Sequence, residues 1–194
     1  MRFRCLQTAT VIVVFLLTGC ANQAVGPDVA FDSRAKDSLV LMGAKVNRWY
    51  VWDFIFSWWK IDPNTGSFDA GADAATVGWV SLDPSDRTET RHFLFRVPPG
   101  RYALESLKIH SGTFGTTIFH RPNTIAFDVA AGEIAYIGEF KITVPSDGYF
   151  FPSLRNTTVT FDRWDDDAAR RALAGYPGVR GAHKFVKPVP IRLK

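Results

Sequence analysis

The chain has 194 residues, of which 46% are hydrophobic and 14% aromatic, with 16 phenylalanines and a formal charge of +4. That composition belongs to a packed globular chain and excludes a disordered one, while the length suits one domain with a real core rather than two. Lys and Arg exceed Asp and Glu only by 23 to 19, and Arg2 and Arg4 sit in the first few residues, so the charge gives no reason to expect a nucleic-acid partner.

Arg2 and Arg4 precede an apolar stretch over residues 9–17, which runs through small residues into a cysteine as Leu17-Thr18-Gly19-Cys20. A basic start, an apolar middle and small residues before a cleavage point are the parts of an export signal. A membrane-spanning helix would need about 20 mostly apolar residues, and Asn22, Gln23 and Asp28 interrupt the run too soon. The tetrapeptide resembles a bacterial lipobox. The resemblance implies cleavage before Cys20, a signal peptide over residues 1–19, and fatty chains on the Cys20 sulfur. Each buried acyl methylene contributes about 0.8 kcal/mol, so two or three chains hold a folded domain at a bilayer. In the lipoproteins it resembles, the residues after the cysteine guide sorting. Ala21 and Asn22, in place of an aspartate, imply the outer membrane, with the domain expected on its periplasmic face. The other cysteine, Cys5, lies within the signal, which leaves no disulfide, thiol nucleophile or zinc-thiolate site beyond Cys20.

Residues 21–37 are mostly small, polar or charged, contain Gly26-Pro27 and keep no apolar period, so residues 20–37 are expected to form a lipidated tether. From Ser38 the pattern changes to short apolar runs with period-two alternation. Strands are predicted over 39–46, 51–59, 76–82, 92–97, 101–109, 116–119, 124–129, 133–144 and 157–161. In the second of these, Trp52, Phe54, Phe56 and Trp58 share a parity that suits a buried face. In 133–144, Ile134, Tyr136, Phe140, Ile142 and Val144 fall on one face, and Glu139, Lys141 and Thr143 fall on the face toward water. Gly138 interrupts the apolar row and marks a bulge or a close approach.

A helix of about 12 residues follows, capped by Asp162, with Asp165, Asp166 and Asp167 in its first turn and Gly175 and Pro177 at its end. Beyond it, Phe185, Val189, Ile191 and Leu193 share one parity, and Pro188 and Pro190 confine such a strand to an edge. The expected class is mainly β: an antiparallel β-sandwich of seven or more strands over residues 38–161, with one short C-terminal helix and a basic tail, residues 162–194, packed on it.

The stretch Val97-Pro98-Pro99-Gly100-Arg101-Tyr102-Ala103-Leu104, followed by Ala131-Gly132-Glu133-Ile134-Ala135-Tyr136-Ile137-Gly138, resembles small bacterial outer-membrane lipoproteins of unknown function. In them a proline-glycine turn leads one strand and a glycine leads the next. The resemblance implies a prealbumin-like or carboxypeptidase-regulatory-like sandwich and carries no catalytic residues.

Candidate sites are few. Trp49, Tyr50 and Trp59 lie off the buried face of their strand or at its end, and are the candidates for ligand or partner contact. Residues 62–69 place oxygens at alternate positions but lack the carboxylates of a calcium loop, so a hairpin turn is the expected role. The Asp162, Asp165, Asp166 and Asp167 cluster suits a helix start. His92, His110, His120 and His183 are scattered without metal-ligand spacing. No Gly-x-Ser-x-Gly and no phosphate-binding glycine loop occurs. Arg180, Lys184, Lys187, Arg192 and Lys194 make the tail basic, as a solvated edge strand or a contact for anionic headgroups. The expected protein is therefore no enzyme and uses no cofactor. It is joined to a membrane through Cys20 and contacts an envelope protein in an interaction or structural role. The alternative is a glycan- or peptidoglycan-binding module that uses exposed tryptophans.

Overall fold

Runs rich in Val, Ile, Phe and Tyr, cut by glycine and proline, become strands because β-branched and aromatic side chains fit a pleated surface. The computed structural model describes residues 24–47, 53–62, 64–68, 76–81, 90–111, 114–117, 123–143 and 158–192. Among these the strands are β1 (Ser38–Val46), β2 (Asp53–Lys60), β3 (Thr76–Ser81), β4 (Arg91–Val97), β5 (Gly100–Ser111), β6 (Phe114–Thr117), β7 (Asn123–Val129), β8 (Ile134–Thr143), β9 (Thr158–Arg163), β10 (His183–Phe185) and β11 (Val189–Arg192). One helix, α1 (Asp166–Ala174), lies between β9 and β10.

The strands form two packed sheets, a β-sandwich. The first runs β10-β8-β1-β4 with β9 also on β8, and the second runs β11-β7-β5-β2-β3 with β6 also on β5. Most pairs are antiparallel, but β8 runs parallel to both β1 and β10. The main core lies between the sheets. Val40, Met42, Phe95, Ile137, Phe140 and Ile142 from the first meet Phe56, Trp58, Leu104, Leu107 and Phe127 from the second. The Phe56 and Phe140 rings sit 5.1 Å apart, and Trp58 meets Phe127 edge-on at the same separation. Burying each large apolar side chain contributes about 1.5–3 kcal/mol, and edge-to-face ring pairs add to it. Phe56 and Trp58 thus take the buried face that their parity predicted. Trp49, Tyr50 and Cys20 lie outside the described residues.

Four expectations about the course of the chain require correction. The first concerns β8. Leu41 and Gly43 of β1 pair with Tyr136 and Glu139, so β8 carries an extra residue there, and Gly138 takes φ +91. A one-residue bulge exchanges the faces of a strand. Ile134 and Tyr136 consequently point to the outer side, away from Phe140 and Ile142, which stay in the inter-sheet core. A Cβ on Gly138 would come within 2.6 Å of the Phe161 ring, so the close approach is by side chains.

The second correction is the tether. Residues 24–37 pack on the outer face of the first sheet, where Phe31 is only 5% exposed and joins Leu39, Leu41, Leu94, Ile134 and Tyr136. The Val25 amide donates to the Leu94 carbonyl (2.8 Å), and the Phe31 amide donates to Gly178 (3.1 Å). Four apolar side chains, Val25, Val29, Phe31 and Ala35, are enough to dock the segment, although their spacing follows no helical or strand period.

Third, α1 is capped by Asp165 rather than Asp162, its carboxylate accepting from the Ala168 amide at 2.9 Å. Asp162 belongs to β9, and the helix has 9 residues. Fourth, the C-terminal strand is two strands in different sheets. β10 pairs with β8, and β11 pairs with β7 beyond buried Pro188, which has no amide hydrogen to extend the first ladder.

Candidate functional site

Gly43 lies in β1 directly between His92 of β4 and Glu139 of β8 in the strand register. Strands two apart are about 9.6 Å from each other, too far for most side chains to meet over an intervening residue. Glycine leaves the space above β1 open. His92 Nε2 and Glu139 Oε1 approach to 3.4 Å across it, and the Thr90 hydroxyl donates to Glu139 Oε2 at 3.1 Å. A Cβ on Gly43 would lie 2.7 Å from Thr90 Cγ2, 2.9 Å from Glu139 Cγ and 3.2 Å from His92 Nε2. The missing side chain is therefore what admits all three polar groups.

Glu139 is 6% exposed, which corrects its expected place on the face toward water. The bulge at Gly138 keeps it on the outer side, but α1 and residues 24–37 cover that side. Burial holds the His92 imidazole below its ordinary value, against the opposing pull of Glu139 and Asp165. The Tyr136 ring lies 6.3 Å from His92, and its hydroxyl is pushed up to about 12 by burial and then by the Glu139 charge.

These groups form the inner wall of a cleft of about 790 Å³ between the first sheet and α1, with Lys45, Arg171 and Tyr176 at its rim. Lys45 shares the parity of Gly43 on β1, and Arg171 stands on the helix. A volume between about 300 and 1,000 Å³ is the size at which small-molecule sites occur. The order of the polar groups decides the chemistry. In a hydroxyl-nucleophile relay the imidazole sits between hydroxyl and carboxylate and takes the hydroxyl proton. Here the carboxylate stands in the middle, so Thr90 hands its hydrogen bond to Glu139 and the imidazole does not activate it. The arrangement suits recognition of charge.

The residues expected from sequence fall elsewhere. Trp59 lies on the outer side of the second sheet, half-buried, with its ring edge-on to Phe68 at 5.5 Å. Around residues 62 and 64–68 the chain turns, Asp62 accepting on its carboxylate from the Asn64 amide (2.8 Å) and on its carbonyl from the Gly66 amide (2.8 Å). The aspartates of α1 are engaged: Asp166 with Arg170 and with His183 Nε2 (2.6 Å), Asp167 with Arg170 (2.6 Å). His120 lies outside the described residues, as does Lys194. Among the described residues no group of three or more His, Cys, Asp or Glu side chains is placed to hold a metal ion.

Tail cations are dispersed rather than gathered. Lys184 pairs with Glu133 at 3.2 Å, and Lys187 Nζ stands 5.3 Å from the Trp164 ring. Trp164, which sequence reading passed over, is 47% exposed and packs on Phe185 at 4.5 Å. Its only sequence signal is a tryptophan amid Asp and Arg, where core packing is not expected. The His92–Glu139 meeting had a weak signal too, a carboxylate inside an otherwise apolar run. Comparison of the chain with protein-family models, with curated proteins and with solved structures finds no match.

Proposed function

We propose that this protein is a lipid-anchored, non-catalytic envelope module, held by fatty chains on Cys20 at the outer membrane and acting through contact with another envelope component, foremost a protein. The observation that carries the reading is the docked segment 24–37. Three residues separate Cys20 from Ala24, so the two Cα atoms lie at most about 14 Å apart. The sandwich would thus sit against the bilayer, with one body of β-structure presented at the headgroup level. The carboxylate-centred order of Thr90, Glu139 and His92 supports binding over catalysis.

Two measurements test it. Cells given labelled palmitate should label the wild-type protein and leave Cys20→Ser unlabelled and uncleaved at the lipid-dependent site; equal labelling of both would end the anchor. Mild crosslinking of intact envelopes should recover the same partner repeatedly, whereas recovery of the protein alone would remove the interaction role.

Trp164 favours a second reading, a glycan- or peptidoglycan-binding module. A flat, exposed aromatic face offers the apolar stacking surface a sugar ring uses. Retention on cell-wall sacculi that Trp164→Ala abolishes would support it, and absence of retention would dispose of it.

A further inference from the structure

The cleft under α1 is lined by the buried carboxylate of Glu139, the half-buried carboxylate of Asp165 and two cations, Lys45 and Arg171. Glu139 accepts from the Thr90 hydroxyl and faces the His92 imidazole at 3.4 Å, and no Lys or Arg among the described residues lies within ion-pair distance of it. An ionised carboxylate in such surroundings is costly until a cation joins it. Lys45 and Arg171, at the rim, have no carboxylate within ion-pair distance among the described residues. Asp165 lines the cleft as well, but its carboxylate accepts from the Ala168 amide as the cap of α1, so Glu139 is the carboxylate left to meet an ammonium, and a molecule carrying an amine and a carboxylate matches Glu139 on the wall and the two cations beside it.

We propose that the cleft is a binding site for small zwitterions, free amino acids or short peptides, with the ligand ammonium on Glu139 and its carboxylate on Lys45 and Arg171. Thr90 and His92 orient the Glu139 carboxylate, Gly43 supplies the room above β1, and Tyr176 closes one side. The charges oppose a purely anionic ligand, which would meet Glu139, and a purely cationic one, which would meet Arg171. The proposal deepens the binding role above by naming a ligand class, and it is independent of the lipid on Cys20.

The full chain, purified from membranes in detergent, is titrated calorimetrically with alanine, trialanine, N-acetyl-trialanine and trialanine amide. Saturable binding is expected for alanine or trialanine, and the comparison of these two separates an amino-acid site from a peptide site. Acetylating the amine, or Glu139→Gln, should weaken binding by about tenfold or more, because a charge-assisted hydrogen bond is lost. Amidating the carboxylate, or Arg171→Ala, should weaken it by a similar factor. Arg171 is exposed, so that variant decides the matter if Glu139→Gln folds poorly. Equal affinity for free and acetylated trialanine, no effect of Arg171→Ala, or no saturable heat at about 10 mM of either free probe would overturn the proposal. Binding by a Cys20→Ser protein that takes up no palmitate would uphold the cleft. A labelled wild-type protein that binds neither probe would leave only the anchor standing.

Discussion

The outer faces of the two sheets are built on different terms. On the first sheet, residues 24–37, α1 and the segment around Val179 cover Leu39, Leu41, Leu94, Ile134 and Tyr136, so β1 is buried on both sides from Ser38 to Ala44, Gly43 included. On the second, the outer cluster among the described residues is Ile61, Ala103 and Ala126, with Phe68 and Ile191 partly buried over them. A sheet covered on both faces loses the simple alternation that a half-exposed sheet keeps. It also gains a boundary where the cover stops, and the cleft lies along that boundary, above Gly43. The charged site thus belongs to the doubly covered sheet, where the gap between cover and sheet has depth.

The inter-sheet layer should dominate stability. Phe140→Ala empties a position packed by Phe56, Trp58 and Phe161, and should cost about 3–5 kcal/mol in urea unfolding. A loss under 1 kcal/mol would mean that the two sheets do not share this layer.

The glycines separate the two faces more finely. Gly138 has φ +91 with the Phe161 and Trp164 rings close above it, whereas Gly66, φ +67 in the turn after β2, has nothing within 4 Å of a Cβ. Gly138→Ala carries both backbone strain and overpacking and should cost about 2–4 kcal/mol; Gly66→Ala carries strain alone, about 1–2 kcal/mol. Equal losses in thermal or chemical unfolding would erase the distinction.

Removing the α1 cap should be milder. Asp165→Ala frees the Ala168 amide and should cost about 1 kcal/mol, read by the same unfolding curves. Since the helix covers the first sheet only, amide exchange should rise in β10 before it rises in β11.

Acidification supplies the gentlest probe. The folded-state pKa of His92 lies below its unfolded value, so the unfolded chain binds the proton first as pH falls. The stability tied to neutral His92 is present above about pH 6.5 and declines as pH drops through the imidazole range. Glu139 and Asp165 oppose this shift, and Arg171 assists it. The Tm of the wild type should therefore fall more between pH 7.5 and pH 5.5 than that of His92→Gln. An identical fall in both would show that His92 is not the group concerned. Asp166, whose pKa is lowered first by its hydrogen bond to His183, adds stability above the carboxylate range that is lost at still lower pH.

Strand positions were legible because period-two runs and turn residues are local properties: 92–97 became Arg91–Val97, and 124–129 became Asn123–Val129. What failed was everything set by a single residue whose effect is non-local. Gly138 reversed the faces of β8, Pro188 sent the last strand to the other sheet, and Gly43 let His92 reach a carboxylate 47 positions along the chain. The docking of residues 24–37 was hidden for another reason, since four apolar side chains in a polar stretch acquire meaning only once a sheet face exists to receive them. For the candidate contacts the outcome is similar: Trp59 was read correctly as off the core face, yet its partner Phe68 comes from across a turn.

The passage of the C-terminal segment from one sheet to the other has a kinetic consequence. β10 and β11 supply an edge to each layer, and they are among the last described residues to leave a ribosome. Until they arrive, β7 and the first half of β8 present open hydrogen-bonding edges, the feature through which an incomplete chain pairs with its neighbours.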